Sequence, residues 1–158
     1  MMATFFHADE VLQGAVRIEE NGEALYRKLA EQSGDPKFKE VFKYLAEQEV
    51  KHRGIFLALL SKLGHSPLSE SFPGEYYEYL KGFADEHIFT PGLVAMFSAK
   101  ELKDPAEGIA IALKAEIDSI LYYLELKSLV PQAERPVLDK IIEEERRHYV
   151  RLLRLKAA

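Results

Sequence analysis

Ile141-Ile142-Glu143-Glu144-Glu145-Arg146-Arg147-His148 places a Glu-x-x-His pair, Glu145 and His148, inside a stretch whose apolar residues recur at helical spacing. A second such pair stands far upstream in Gln48-Glu49-Val50-Lys51-His52. In both copies the glutamate and histidine occupy seam positions, flanked one turn away by Leu, Ile or Phe. In the earlier copy the seam runs Phe42, Leu45, Glu49, His52, Phe56, Leu59 and Leu63; in the later one it runs Leu138, Ile141, Glu145, His148, Leu152 and Leu155.

Each pair is preceded by a further matching element. Glu19 and Tyr26 recur 97 positions later as Glu116 and Tyr123, and Glu49 and His52 recur 96 positions later as Glu145 and His148. One helical hairpin is therefore used twice. The first helix is expected from about Ala8 to Gln32, with the seam Leu12, Ala15, Glu19, Gly22, Tyr26 and Leu29; Ser33-Gly34-Asp35-Pro36 stops it and starts the next. Gly64 closes the second. The third opens at Asp104-Pro105, a cap followed by proline, with the seam Ile109, Ala112, Glu116, Ser119, Tyr123, Leu126 and Val130, and it ends at Pro131.

These segments predict an all-α, four-helix bundle of two repeated antiparallel hairpins, about 8–63 and 104–156, in a single domain spanning 1–158. The 64–103 crossover is long enough to run the length of the bundle. Within it, short helices are expected at Glu75–Phe83 and Gly92–Leu102.

Composition excludes several alternatives. With 158 residues and 47% hydrophobic content, one compact core is affordable. The net charge of −5 and the lack of a basic block interleaved with aromatics argue against a nucleic-acid partner. There is no cysteine, so a metal must be held by nitrogen and oxygen. No apolar run is long enough for a bilayer and the N-terminus carries no basic, apolar leader, so the expectation is a cytoplasmic protein with no membrane association.

A single Glu-x-x-His on a helix is more often a solvated face than a ligand set. Glu143, Glu144, Arg146 and Arg147 are read in that way, and Glu20, Glu23, Glu47 and Asp118, off the seam, as exposed or peripheral. His7, His65 and His87 lack repeated partners and are read as surface or packing residues. Glu19, Glu49, Glu116 and Glu145 differ because all four point inward. Unpaired buried carboxylates must protonate, pair or bind metal, and no seam lysine or arginine is available. Two divalent cations would balance four carboxylates, with His52 and His148 as neutral ligands. Residues three apart share a helix face, so each Glu-x-x-His can address one metal. Tyr26 and Tyr123, two turns beyond Glu19 and Glu116, are expected to orient ligands through their hydroxyls. Gly22 and Ser119, one turn beyond the same glutamates, are expected to leave room for a small oxidant.

Taken together, Glu19 to Tyr26, Glu49-x-x-His52, Glu116 to Tyr123 and Glu145-x-x-His148 resemble the rubrerythrin branch of the ferritin-like superfamily. The flanking Leu25-Tyr26-x-x-Leu29-Ala30 and the Glu143–His148 run are similar to that branch as well. The resemblance implies a ferritin-like fold, two iron ions per chain held by the six matched side chains, and Glu49 and Glu145 as bridging carboxylates. It implies reduction of hydrogen peroxide or dioxygen with oxidation of Fe(II), and association as a homodimer. Three departures are visible. Ser119 stands where rubrerythrins carry an additional ligand glutamate. There is no rubredoxin domain, so turnover needs an external electron donor such as a separate rubredoxin-like protein. Val50 stands where bacterioferritins ligate haem with methionine, so no haem is expected. Manganese and zinc accept the same donor types. Two rival functions use the same residues: an iron-handling protein that binds metal without turnover, and a structural bundle with a vestigial site.

Overall fold

The computed structural model describes residues 8–64, 74–87 and 104–158, and among these every regular element is helical. In chain order they are α1 (Ala8–Gln32), α2 (Pro36–Leu63), α3 (Gly74–His87), α4 (Pro105–Leu129), a 3-10 turn at Gln132–Glu134 and α5 (Arg135–Ala157).

Local chemistry explains the boundaries. The Asp35 carboxylate accepts a hydrogen bond from the Lys37 amide at 2.8 Å, capping α2 just ahead of Pro36. Asp104 does the same for α4, accepting from the Ala106 amide at 3.0 Å beside Pro105. Gly64 ends α2 at φ +53°, where a side chain would be strained, and its N–H donates to the Leu60 carbonyl. Pro131 follows α4, and Val130 ahead of it is already extended.

α1 packs along α2 and α4 along α5, while α1 meets α4 and α2 meets α5 across the bundle. The core between them is formed by Leu12, Ala15 and Leu29 of α1, Phe42, Leu45 and Phe56 of α2, Ile109, Ala112 and Leu126 of α4, and Leu138, Ile141 and Leu152 of α5. Each fully buried Leu, Ile or Phe contributes roughly 1.5–3 kcal/mol relative to exposure, so the seam read from the sequence is the packing surface.

The first of the two short crossover helices forms as α3, longer than expected at both ends; the second, 92–102, lies outside the described residues, as do His7 and His65. His87 is exposed at the end of α3. Helix α3 lies against α4. Leu80 and Ala84 are buried in the core, the Tyr76 hydroxyl donates to the Glu125 carboxylate, and Asp85 pairs with Arg17 of α1 at 2.6 Å. Among the acidic residues expected on the surface, Glu20 and Glu47 are exposed and Glu143 pairs with Arg147 at 2.6 Å. Asp118 corrects the expectation. It is buried, with its carboxylate 2.8 Å from the Lys114 ammonium, because α4 buries a wider face than its seam and includes Leu113 and Ile120 in the core.

Candidate metal centre

Glu19 comes from the middle of α1, Glu116 from the middle of α4, Glu49 and His52 from α2, and Glu145 and His148 from α5. All six are at most 3% exposed. They converge as two overlapping groups. One comprises Glu19, Glu49, His52 and Glu145, the other Glu49, Glu116, Glu145 and His148, and within each group one ligand atom per residue lies within 4.8 Å of the others. Glu49 and Glu145 belong to both groups, which is the placement a carboxylate needs to serve two metals at once.

Both imidazoles aim Nδ1 inward. His52 Nδ1 is 2.7 Å from Glu145 Oε1 and 3.8 Å from Glu19 Oε2; His148 Nδ1 is 3.4 Å from Glu145 Oε2 and 3.8 Å from Glu116 Oε1. The rings stack across the centre at 5.7 Å between centroids. His52 Nδ1, His148 Nδ1, Glu19 Oε2, Glu49 Oε1, Glu116 Oε2 and both Glu145 oxygens are buried without a hydrogen-bond partner. Orphaned polar atoms of this kind are costly in a folded interior. Seven of them converging from four helices fit a bound cation pair, with oxygen and imidazole donors suited to iron, manganese or zinc.

Each tyrosine reaches across to the opposite hairpin. The Tyr26 hydroxyl of α1 donates to Glu116 Oε1 at 2.5 Å, and the Tyr123 hydroxyl of α4 donates to Glu19 Oε1. One oxygen of each single glutamate is thereby held, leaving Oε2 as the orphan. Burial pushes both phenols well above their ordinary range, and the adjoining carboxylates push them further, so both remain protonated donors.

The electrostatics of the metal-free cluster are those of crowded acids. Burial raises Glu19, Glu49 and Glu116 above the usual carboxylate range, and Glu145 raises each of them further. Burial also acts against ionised Glu145, yet its contacts with Glu116, His148 and His52 prevail and hold it well below that range. His52 is pushed down by burial but up more strongly by Glu145 and Glu19, reaching about 10.

The small residues behave differently from one another. An added Cβ on Gly22 would sit 3.1 Å from Cδ and Oε2 of Glu49, so the space beside this glycine is taken by the Glu49 carboxylate. Ser119 is buried and its hydroxyl donates to the Ala115 carbonyl at 2.9 Å. One contact at the cluster was not anticipated. Glu144, read as a solvated neighbour of Glu145, bonds His52 Nε2 through Oε2 at 2.7 Å from the opposite hairpin. The Glu-Glu doublet ahead of the second pair was the available signal, because a residue next to a seam position can reach the helix alongside.

The rubrerythrin family model matches residues 10–156. The chain belongs to the rubrerythrin family. As a rubrerythrin-family member it resembles two solved structures over nearly its whole length. A Thermotoga maritima protein described as ferritin-like and diiron-carboxylate shares 27% identity and a TM-score of 0.74, covering 99% of this chain and 98% of that one. A hypothetical protein from Pyrococcus furiosus shares 27% identity and a TM-score of 0.72, covering 96% and 89%. No curated protein sequence matches the chain. The ferritin-like, all-α fold is thus shared with these relatives, and no helix among the described residues is long and apolar enough to cross a membrane.

Proposed function

We propose that this rubrerythrin-family protein is a non-haem di-iron oxidoreductase that reduces hydrogen peroxide or dioxygen, with Glu19, Glu49, His52, Glu116, Glu145 and His148 as the ligands. The observation that carries it is the pair of overlapping buried four-residue groups sharing Glu49 and Glu145, seven of whose inward atoms have no hydrogen-bond partner. Bound there, two iron ions would supply the two electrons that reduce one hydrogen peroxide, with two protons, to two water molecules.

The chain's own residues bind, orient and exclude. Tyr26 and Tyr123 fix the rotation of Glu116 and Glu19, so a single oxygen of each faces the centre. Glu144 fixes the ring plane of His52 and keeps its proton on Nε2, freeing Nδ1 as a ligand. Phe56 packs against Tyr123 at 5.0 Å between centroids and Phe42 against Tyr26 at 6.3 Å, closing the space around the cluster to bulk water. Electrons for repeated turnover come from a separate carrier, since the cysteine-free chain cannot hold a rubredoxin centre of its own. We further propose a cytoplasmic homodimer; Ile117, Leu121 and Leu124 form one exposed apolar strip on α4 suited to a second copy, and a monomeric mass in solution would exclude it.

The test is anaerobic loading with Fe(II) followed by peroxide or dioxygen. Consumption of one peroxide per two Fe(II) oxidised is expected. Stoichiometric iron binding with oxidant consumption no faster than free Fe(II) would instead favour an iron-handling protein.

A further inference from the structure

The two hairpins supply matching ligands but not matching supports. His52 Nε2 is held by the Glu144 carboxylate at 2.7 Å, and the Glu144 side chain is 25% exposed while His52 is fully buried. The repeat places Gln48 where Glu144 stands, directly ahead of Glu49 as Glu144 is ahead of Glu145. Gln48 makes no corresponding hydrogen bond to His148. That ring stands nearly perpendicular to Tyr44 instead, 6.3 Å between centroids, and the Arg151 guanidinium lies over the Tyr44 ring at 4.1 Å. An imidazole backed by a carboxylate is a more basic and better oriented ligand than one without, and such outer partners typically change metal affinity by about 10–100-fold. The directly binding sets are otherwise alike, each with one histidine, one single glutamate and the shared pair.

We propose that the two metal positions are unequal: the one at His52, Glu19 and Glu144 fills first and holds its ion, and the one at His148 and Glu116 fills last and exchanges. Glu144 is the positioning residue that sets this order. The inference rests on the dinuclear reading above, and concerns binding alone, so it holds whether or not the loaded protein turns over.

Calorimetric titration of the metal-free protein with Zn(II), repeated with Co(II) under optical detection, tests it. Wild type is expected to bind in two steps. His148→Ala should retain the tight step, and His52→Ala should lose it. Glu144→Gln should weaken the tight step by about 10–100-fold while leaving the second nearly unchanged. Gln48→Glu, which offers His148 a carboxylate of its own, should strengthen the weak step. Mutual repulsion of two cations also produces two steps, so the order is decided by the variants. Two-metal binding in which Glu144→Gln leaves both steps where they were, or in which His148→Ala abolishes the tight step, overturns the inequality. Absence of specific binding in the wild type would overturn the dinuclear reading itself, and this proposal with it.

Discussion

Replacing Glu49 with glutamine should stabilise the metal-free protein and cripple the metal-bound one. Glu49 is buried and lies against Glu19, Glu145 and Glu116, so its carboxyl stands well above the ordinary value while folded. The unfolded chain ionises near 4.5, whereas the folded chain keeps the proton to higher pH. Stability of the metal-free fold therefore falls as pH rises from about 4.5 through the raised value, and each unit of that rise costs about 1.4 kcal/mol. Glutamine copies the protonated acid in shape, retains an N–H donor toward Glu19, and has no charge to suppress. A gain of about 1 kcal/mol or more is expected at pH 7.5, worth roughly 2–4 °C in Tm for a chain of this size, and it should vanish below about pH 4.5.

With metal the sign reverses. Free ion at a thousandfold excess over Kd stabilises the wild type by about 4 kcal/mol, or roughly 8–16 °C. Glu49 is shared by both ligand groups. Its loss should cost at least the roughly 100-fold that an outer partner can cost, about 2.7 kcal/mol, removing roughly 5–11 °C of that shift. Thermal melts of both proteins, chelated and metal-loaded, at pH 7.5 and pH 4 read all eight values. A metal-free Glu49→Gln protein less stable than wild type at pH 7.5, with the metal-induced shift intact, would refute the electrostatic picture of the cluster.

Other consequences can be checked separately. Tyr123→Phe frees Glu19 to rotate, and its metal affinity should fall by about 10–100-fold in a chelator competition; an unchanged affinity would mean the phenol only fills space. Gly22→Ala brings a methyl within 3.1 Å of the Glu49 carboxylate while gaining up to about 1 kcal/mol of helix propensity, so metal-free stability should hold or rise as metal affinity drops about tenfold. An affinity that stays level would show that Glu49 can yield the space while ligating. Glu49 and Glu116 are raised by burial, and His52 is raised to about 10 by Glu145 and Glu19 against its burial, so the metal-free protein holds protons at neutral pH that a metal must displace. Zn(II) addition in a pH-stat should release protons, and affinity should climb with pH; zero release would contradict the shifts.

Sequence periodicity exposed the helices and the inward residues because a bundle seam repeats every three or four positions, and a buried Glu on that seam is conspicuous. The doubled spacing located Glu19 and Glu116, which carry no local motif. The tyrosines were visible as repeats, but their crosswise pairing was not, since it depends on how the hairpins are set together. Glu144 escaped because a residue one step off the seam is normally solvated, and only the proximity of α2 to α5 brings it to His52. Asp118 escaped for a similar reason: the wide buried face of α4, against which α3 also packs, is not encoded in the seam of α4 itself. Gly22 was read as room for an oxidant, whereas the chain uses that room for Glu49.

Metal content after anaerobic reconstitution and desalting tests the central claim most directly. Two ions per chain in the wild type, and none held specifically by Glu49→Ala/Glu145→Ala with its helical content intact, is the predicted result. A wild type that retains no metal while remaining folded would leave a helical bundle whose buried carboxylates serve some other end.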